Sequence, residues 1–177
     1  MLGKSRFGFG LFAPRVYEKG DLIYEYESEV VSKGADLRWE VDGKSIPLSV
    51  ERHTCRCEGG WEWTGLDAFI NHSCRPNTYY EGQKLISLRR IEEGEELLVH
   101  YDTVDWVEDY PYMCECGEEE CLGLRRGFKF LPAELKEEFI RRGWVSSYVL
   151  KMYSERGQDR QGGEKSVCER GDRVQAV

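Results

Sequence analysis

The chain has 177 residues with a formal net charge of -8, and 40% of them are hydrophobic against 33% charged. Its mean hydropathy is -0.61. That balance predicts one water-soluble domain with a tail. No apolar run approaches the roughly 20 residues a membrane span needs, and Met1–Gly10 lacks the apolar core of a secretory signal, so an intracellular setting, cytoplasmic or nuclear, is expected.

The first half reads as short strands punctuated by turns. Gly8-Phe9-Gly10-Leu11-Phe12-Ala13 is a glycine-rich turn opening into a strand. It lacks the third glycine and the following helix of a dinucleotide fingerprint, which leaves a backbone passing close to some ligand. Gly20-Asp21 precedes a strand at Leu22–Tyr26, and Asp42-Gly43 makes a hairpin turn between strands at Leu37–Val41 and Ser45–Leu48. Cys55 and Cys57 alternate on a further strand as a packed pair facing one way. Strands are expected next at Asp67–Ile70, Lys84–Leu88 and Glu96–Tyr101, with Gly82 and Gly94 as breaks. Asn71-His72-Ser73-Cys74 lies among them, and taken alone its histidine reads as a satisfied buried imidazole.

The charge is uneven. Between Arg90 and Arg125 no Lys or Arg occurs, and twelve Asp or Glu residues fill the gap, more than the whole-chain excess of eight. Such a field repels phosphate backbones, so nucleic acid is not an expected partner and a basic peptide is. The seven cysteines are an odd count in a chain long enough to bury a core without staples, which favours reduced thiols and a metal over disulfides. Cys114, Cys116 and Cys121 cluster within eight residues beside Gly117 and leave a tetrahedral zinc one ligand short. Cys74 is the preferred fourth ligand, with Cys55 and Cys57 competing for the place. Helical periodicity starts after Pro132, with Leu135, Phe139 and Ile140 on one face, and a second short helix follows Gly143. From Ser154 onward apolar residues nearly vanish, which predicts a disordered tail carrying a free Cys168.

In order and spacing these elements resemble the SET-domain lysine methyltransferases. The resemblance rests on the Gly-Phe-Gly turn, on Phe69-Ile70-Asn71-His72-Ser73-Cys74-Arg75-Pro76-Asn77, on Gly94-Glu95-Glu96-Leu97 running to Tyr101, and on the Cys114 to Cys121 element, which is similar to a post-SET zinc loop. It covers roughly Phe7–Arg126 and points to the small stand-alone members of the family. It implies a mainly β, β-clip-like fold of several small sheets with a threaded active site and a helical C-terminal end. The division it implies is a SET domain over 1–113, a post-SET element over 114–130, a helical segment over 131–153 and the tail over 154–177.

Carried over residue by residue, the resemblance implies that Gly8, Phe9 and Gly10 lie along S-adenosylmethionine, with Phe9 offering backbone hydrogen bonds. Asn71 and His72 would bind that cofactor largely through the backbone, and Leu122 would pack on its adenine. Tyr101 would be catalytic and also touch the cofactor, Val99 and Tyr26 would line the substrate pocket, and Cys74, Cys114, Cys116 and Cys121 would hold one structural zinc. The implied reaction is methyl transfer to a lysine in a basic protein, a histone among the candidates. A small-molecule substrate on the same fold, or a zinc-stabilised binder of basic peptides without turnover, are the alternatives. Three departures stand out: Val99 where an aromatic residue is common, His100 where an acid is common, and a shortened leading strand before Phe7. Substrate choice is expected to reside in the segment Val31–Trp63, which matches no motif.

Overall fold

The computed structural model describes all residues except 27–28, 33, 42–43, 49–54, 58–59, 64, 109–110 and 159–177. The described residues form short strands in several small sheets, with two α-helices at the C-terminal end. Leu2–Ser5 and Gly8–Leu11 make a hairpin closed by Arg6-Phe7. A three-stranded antiparallel sheet takes the order Thr78–Glu81, Lys84–Ser87, Leu22–Glu25. The hairpin expected around Asp42-Gly43 is present as Leu37–Val41 paired with Lys44–Leu48, the turn residues themselves lying outside the described residues. Cys55–Cys57 is a strand as expected, but the side chains of Cys55 and Cys57 also lie outside the described residues, as do Cys168 and its segment.

One pairing organises the centre. Asn71–His72 runs parallel to Leu98–Val99, in register Leu98 with Asn71 and Val99 with His72. On its other flank Leu98 is held by Asn77, whose backbone N–H meets its carbonyl at 3.2 Å and whose side-chain oxygen accepts its N–H at 2.8 Å. The Thr78 hydroxyl donates to the same carbonyl at 2.8 Å. A two-residue strand is therefore saturated on both edges, which satisfies the backbone polar groups that burial would otherwise leave costly. Its neighbour Leu97 and Val99 itself join Leu11, Ala13, Tyr17, Ile70, Leu85 and Ile91 in the first core.

Two expected strands differ. Asp67–Ile70 belongs instead to a 3-10 turn, Gly65–Phe69, closed by the Ile70 N–H on the Asp67 carbonyl at 3.0 Å. Gly65 at φ 67° turns the chain into it, and Leu66, Phe69 and Ile70 recur at a spacing that serves one helical turn as well as a strand. The Glu96–Tyr101 run is a ladder only at Leu98–Val99, because Glu96 makes an isolated bridge to Phe12 and Tyr101 opens a second 3-10 turn, Tyr101–Thr103.

The helix Ala133–Arg142 begins just after Pro132, and Ser147–Gln158 follows. The second helix continues past Ser154, where the tail was expected to begin. Together they bury Phe139, Val145 and Val149 against Trp106, Phe128 and Leu131 in a second core. Tyr153 adds its ring to Trp106 and Phe128, with centroids 6.4 and 5.8 Å away.

The 3-10 turn carries an uncompensated charge. Asp67 is 7% exposed, among the described residues neither carboxylate oxygen has a hydrogen-bond partner, and burial pushes its carboxyl up to about 7. An unfolded aspartate titrates near pH 3.9, so the folded state binds the extra proton between about pH 4 and 7 and stability falls as pH rises through that window. Asp67→Asn stays neutral throughout. It is expected to raise Tm by roughly 5 °C at pH 8 and by little at pH 4. Calorimetry showing the same shift at both pH values would remove burial of the charge as the cause.

Candidate active site and the four-cysteine cluster

Parallel pairing sets the end of Leu98–Val99 beside the residues following Phe69, which places Tyr101 against Ile70, Asn71 and His72. The Tyr101 hydroxyl donates to the Ile70 carbonyl at 2.7 Å, and its backbone N–H donates to His72 Nδ1 at 3.2 Å. The Asn71 side-chain amide donates to the Phe9 carbonyl at 2.9 Å and to Glu96 Oε1 at 2.7 Å. That ties the Gly8–Leu11 strand to the same centre. A Cβ at Gly10 would lie 2.3 Å from Glu96 Oε1 and 2.9 Å from Ser5 Cβ, so only glycine lets the three segments close up. Phe9 keeps its ring 46% exposed, edge-on to Phe69. Its carbonyl is engaged by Asn71 rather than left free.

Gly8, Phe9, Gly10, Asn71, His72 and Tyr101 thus converge, and Leu122 reaches the same region through the cysteines. Its N–H points at Cys74 Sγ at 3.4 Å, with its side chain 38% exposed. Cys74, Cys114, Cys116 and Cys121 bring their sulfurs within 4.8 Å of one another, although forty residues separate the first two. The Cys74 to Cys114 distance is 3.9 Å, close to the S···S edge of about 3.8 Å that zinc–sulfur bonds of about 2.3 Å impose on a tetrahedron. Burial pushes the Cys74 and Cys114 thiols up, Cys114 to about 11, and neighbouring sulfurs add to the rise. For Cys116 burial acts the same way, but the backbone N–H groups of Cys74 and Glu118 outweigh it and bring the thiol down to about 7. Four sulfurs this close fit a bound cation that would hold them as thiolates, against the burial that resists ionisation of Cys74 and Cys114. Arg6 fastens this loop to the first hairpin by donating to the Glu115 and Cys116 carbonyls.

The expected substrate-pocket residues sit apart. Val99 is 3% exposed in the first core, where Tyr80 and Tyr101 pack against it. Tyr26 meets that group through Tyr80, edge-on at 5.9 Å, and donates its hydroxyl to the Gly82 carbonyl at 3.3 Å. Tyr80 was not anticipated, because no strand was expected at Thr78–Glu81, where it alternates with Tyr79 and Tyr79 faces Trp144.

Arg125 was not anticipated. Its guanidinium is fully buried and meets Asp102 at 2.9 Å, Asp105 at 3.4 Å, Glu108 at 3.5 Å and the Tyr112 hydroxyl at 3.1 Å. It also lies over the Tyr101 ring, 4.8 Å from the centroid. Burial opposes its charge, but Asp102 and the other anions more than offset that and hold it above the usual arginine range. The acidic stretch is consequently not one outward field: Asp102, Asp105 and Glu108 turn inward, while Glu92, Glu93, Glu115, Glu119 and Glu120 stay exposed. His100 is buried, among the described residues neither ring nitrogen is hydrogen-bonded, and burial lowers it to about 4. It serves as a neutral wedge, edge-on to His72 at 4.9 Å and Phe139 at 5.0 Å. Burial, then the nearby His100 and Arg125, lower His72 to about 2, so both imidazoles are neutral.

The family model of the SET domain matches residues 8–102, a span that contains the Gly-Phe-Gly strand, the Asn-His-Ser-Cys segment and Tyr101. The chain belongs to the SET-domain family. Within it, the chain is similar to "Histone-lysine N-methyltransferase, H3 lysine-36 specific" of Aspergillus oryzae, 33% identical over 136 residues, and to the protein of that name in Gibberella zeae, 30% identical over 132. Each match covers 68% of this chain and 14% of the relative. "Histone-lysine N-methyltransferase mes-4" of Caenorhabditis elegans is 29% identical over 140 residues, covering 66% and 15%. The chain therefore spans about a seventh of the length of these relatives. A solved Plasmodium falciparum structure aligns at 20% identity and a TM-score of 0.37, covering 57% of this chain and 90% of that one, a likeness too loose to bear on the fold. Among the described residues no helix is long and apolar enough to cross a membrane.

Proposed function

We propose that this protein transfers a methyl group from S-adenosylmethionine to the side-chain amine of a lysine in a basic protein, with Tyr101 as the catalytic residue. The observation that carries the reading is the anchoring of the Tyr101 hydroxyl on Ile70 where the Gly-Phe-Gly strand meets Asn71. The Gly8, Phe9 and Gly10 backbone, Asn71, His72 and Leu122 hold the cofactor, and the glycine strand supplies the close backbone approach that this requires. The cofactor contributes an electrophilic methyl group on a sulfonium.

Tyr101 donates its proton to Ile70, so its oxygen lone pairs remain to orient the methyl group and the incoming amine for in-line attack. Orientation of this kind supplies much of such a rate. A free lysine titrates near pH 10.4, and a desolvated channel beside a bound sulfonium would favour the neutral amine. Val99 with Tyr26 and Tyr80 shapes the lysine channel, and a valine there leaves more room than an aromatic ring would. Exposed Glu115, Glu119 and Glu120 beside the cysteine loop attract the basic partner.

The four cysteines hold one structural zinc, as a post-SET element over 114–130 appended to a SET domain over 1–113, with the helical segment from 131 as a buttress. The names of the relatives support a histone substrate and a nuclear setting. Incubation with methyl-labelled S-adenosylmethionine and mixed basic proteins, followed by hydrolysis, is expected to recover label as methyllysine; recovery in no amino acid would overturn the reading. Cys116→Ser is expected to lose the zinc, measured as about one ion per chain in the parent, and to weaken cofactor binding at least tenfold by calorimetry. A zinc-free variant with unchanged affinity would detach the metal from the cofactor site.

A further inference from the structure

One imidazole joins the four-cysteine cluster to the backbone of Tyr101. His72 Nδ1 lies 3.2 Å from the Tyr101 backbone nitrogen, and that nitrogen can only donate, so Nδ1 is the acceptor and carries no proton. A neutral imidazole has a single N–H, which must then sit on Nε2, and Nε2 lies 3.4 Å from Cys74 Sγ. The ring thus donates to the sulfur on one side while accepting from Tyr101 on the other. His72 is 7% exposed and His100 packs edge-on against it, so water has little room to replace either bond.

The two states of Cys74 differ sharply as partners. A thiolate bound to a cation accepts the Nε2–H well, alongside the N–H of Leu122 that points at the same sulfur. A protonated thiol is a weak acceptor and brings its own proton to the contact. The position of the ring therefore depends on what the sulfur carries, and the ring supplies the acceptor that seats the Tyr101 amide. Partners beyond the ligands commonly orient a metal site in this way.

We propose that His72 is a positioning residue that couples metal occupancy of the four-cysteine cluster to the placement of Tyr101. The inference rests on the functional reading given above. It goes beyond that reading, in which His72 meets the cofactor through its backbone, in assigning the coupling to the imidazole ring.

Nuclear magnetic resonance of the intact chain labelled with nitrogen-15 tests it without relying on turnover. The zinc-loaded protein is expected to show His72 as the Nε2–H tautomer, and chelating the zinc is expected to shift both the His72 ring nitrogens and the Tyr101 amide. His72→Asn places an amide oxygen near Nδ1 and abolishes the sulfur contact. Its Tyr101 amide is expected to stay near the parent position and to ignore chelation. His72→Gln reaches toward Nε2 instead. It is expected to keep zinc affinity within about threefold, to displace the Tyr101 amide even when loaded, and to lower kcat by about tenfold to a hundredfold with little change in cofactor KM.

An Nδ1–H tautomer, or a Tyr101 amide in the parent protein that does not respond to zinc, would overturn the coupling, and both are read on the parent even if a variant fails to fold. Methyl transfer together with an unresponsive amide rejects the coupling alone. Absence of methyl transfer rejects the functional reading while the spectra still judge the coupling, and a chain that takes up no zinc overturns the coupling alone.

Discussion

Tyr101→Phe is expected to lower kcat by about a hundredfold to a thousandfold while leaving S-adenosylmethionine affinity within about twofold. The substitution keeps the ring, and with it the contact to Arg125 and the packing on the first core. It removes one oxygen, the group held at 2.7 Å from the Ile70 carbonyl. The backbone N–H of residue 101 still finds His72, so the segment stays seated. Single-turnover transfer of labelled methyl, paired with calorimetric titration of the cofactor, separates the rate from the binding. Equal transfer by parent and variant would strip Tyr101 of its catalytic assignment.

Arg125→Met is expected to cost about 3–5 kcal/mol of folding stability, because it leaves Asp102 and Asp105 buried without their cation. Methionine fills much of the volume, so the loss is one of charge compensation rather than packing. The Asp102 carboxylate also accepts the Gly127 backbone N–H at 2.9 Å, which fastens the segment after the cysteine loop to the turn Tyr101–Thr103. Acidification supplies a signature. The orphaned carboxylates of the variant have raised affinity for protons, so the deficit is largest above neutrality and shrinks as pH falls toward 4. Urea unfolding at pH 7.5 and pH 5 measures it. A deficit under about 1 kcal/mol, or one independent of pH, would mean that the buried ion cluster is not what holds this segment.

The parts of the site that were legible beforehand are those written in short stretches of chain. Three thiols within eight residues announce a metal through spacing alone, whereas the glycine strand and the Asn-His-Ser-Cys segment took their chemistry from the family resemblance. His72 was read as a satisfied buried imidazole, and the structure partners both its ring nitrogens. Asp67 to Ile70 failed as a strand because four residues with two apolar neighbours fit either period, and the turn at Gly65 decided between them. Arg125 escaped notice because nothing in the adjoining residues marks it. Its acidic partners lie 17 to 23 positions earlier, and only folding reveals that acids surround a cation instead of facing water.

By itself the sequence determined an acidic chain of short strands, a helical end, a thiol-rich loop and a tyrosine at the end of an apolar run, all features with periods or spacings of a few residues. The tertiary structure brought the expected Cys74 to the other three sulfurs, and it alone decided that Asn71 reaches Phe9 and that three of the twelve acids surround Arg125. The physical reason is the parallel pairing of Asn71–His72 with Leu98–Val99. Parallel neighbours must be joined by a long connection. The residues that meet there are therefore distant in the chain, and no local pattern records the meeting.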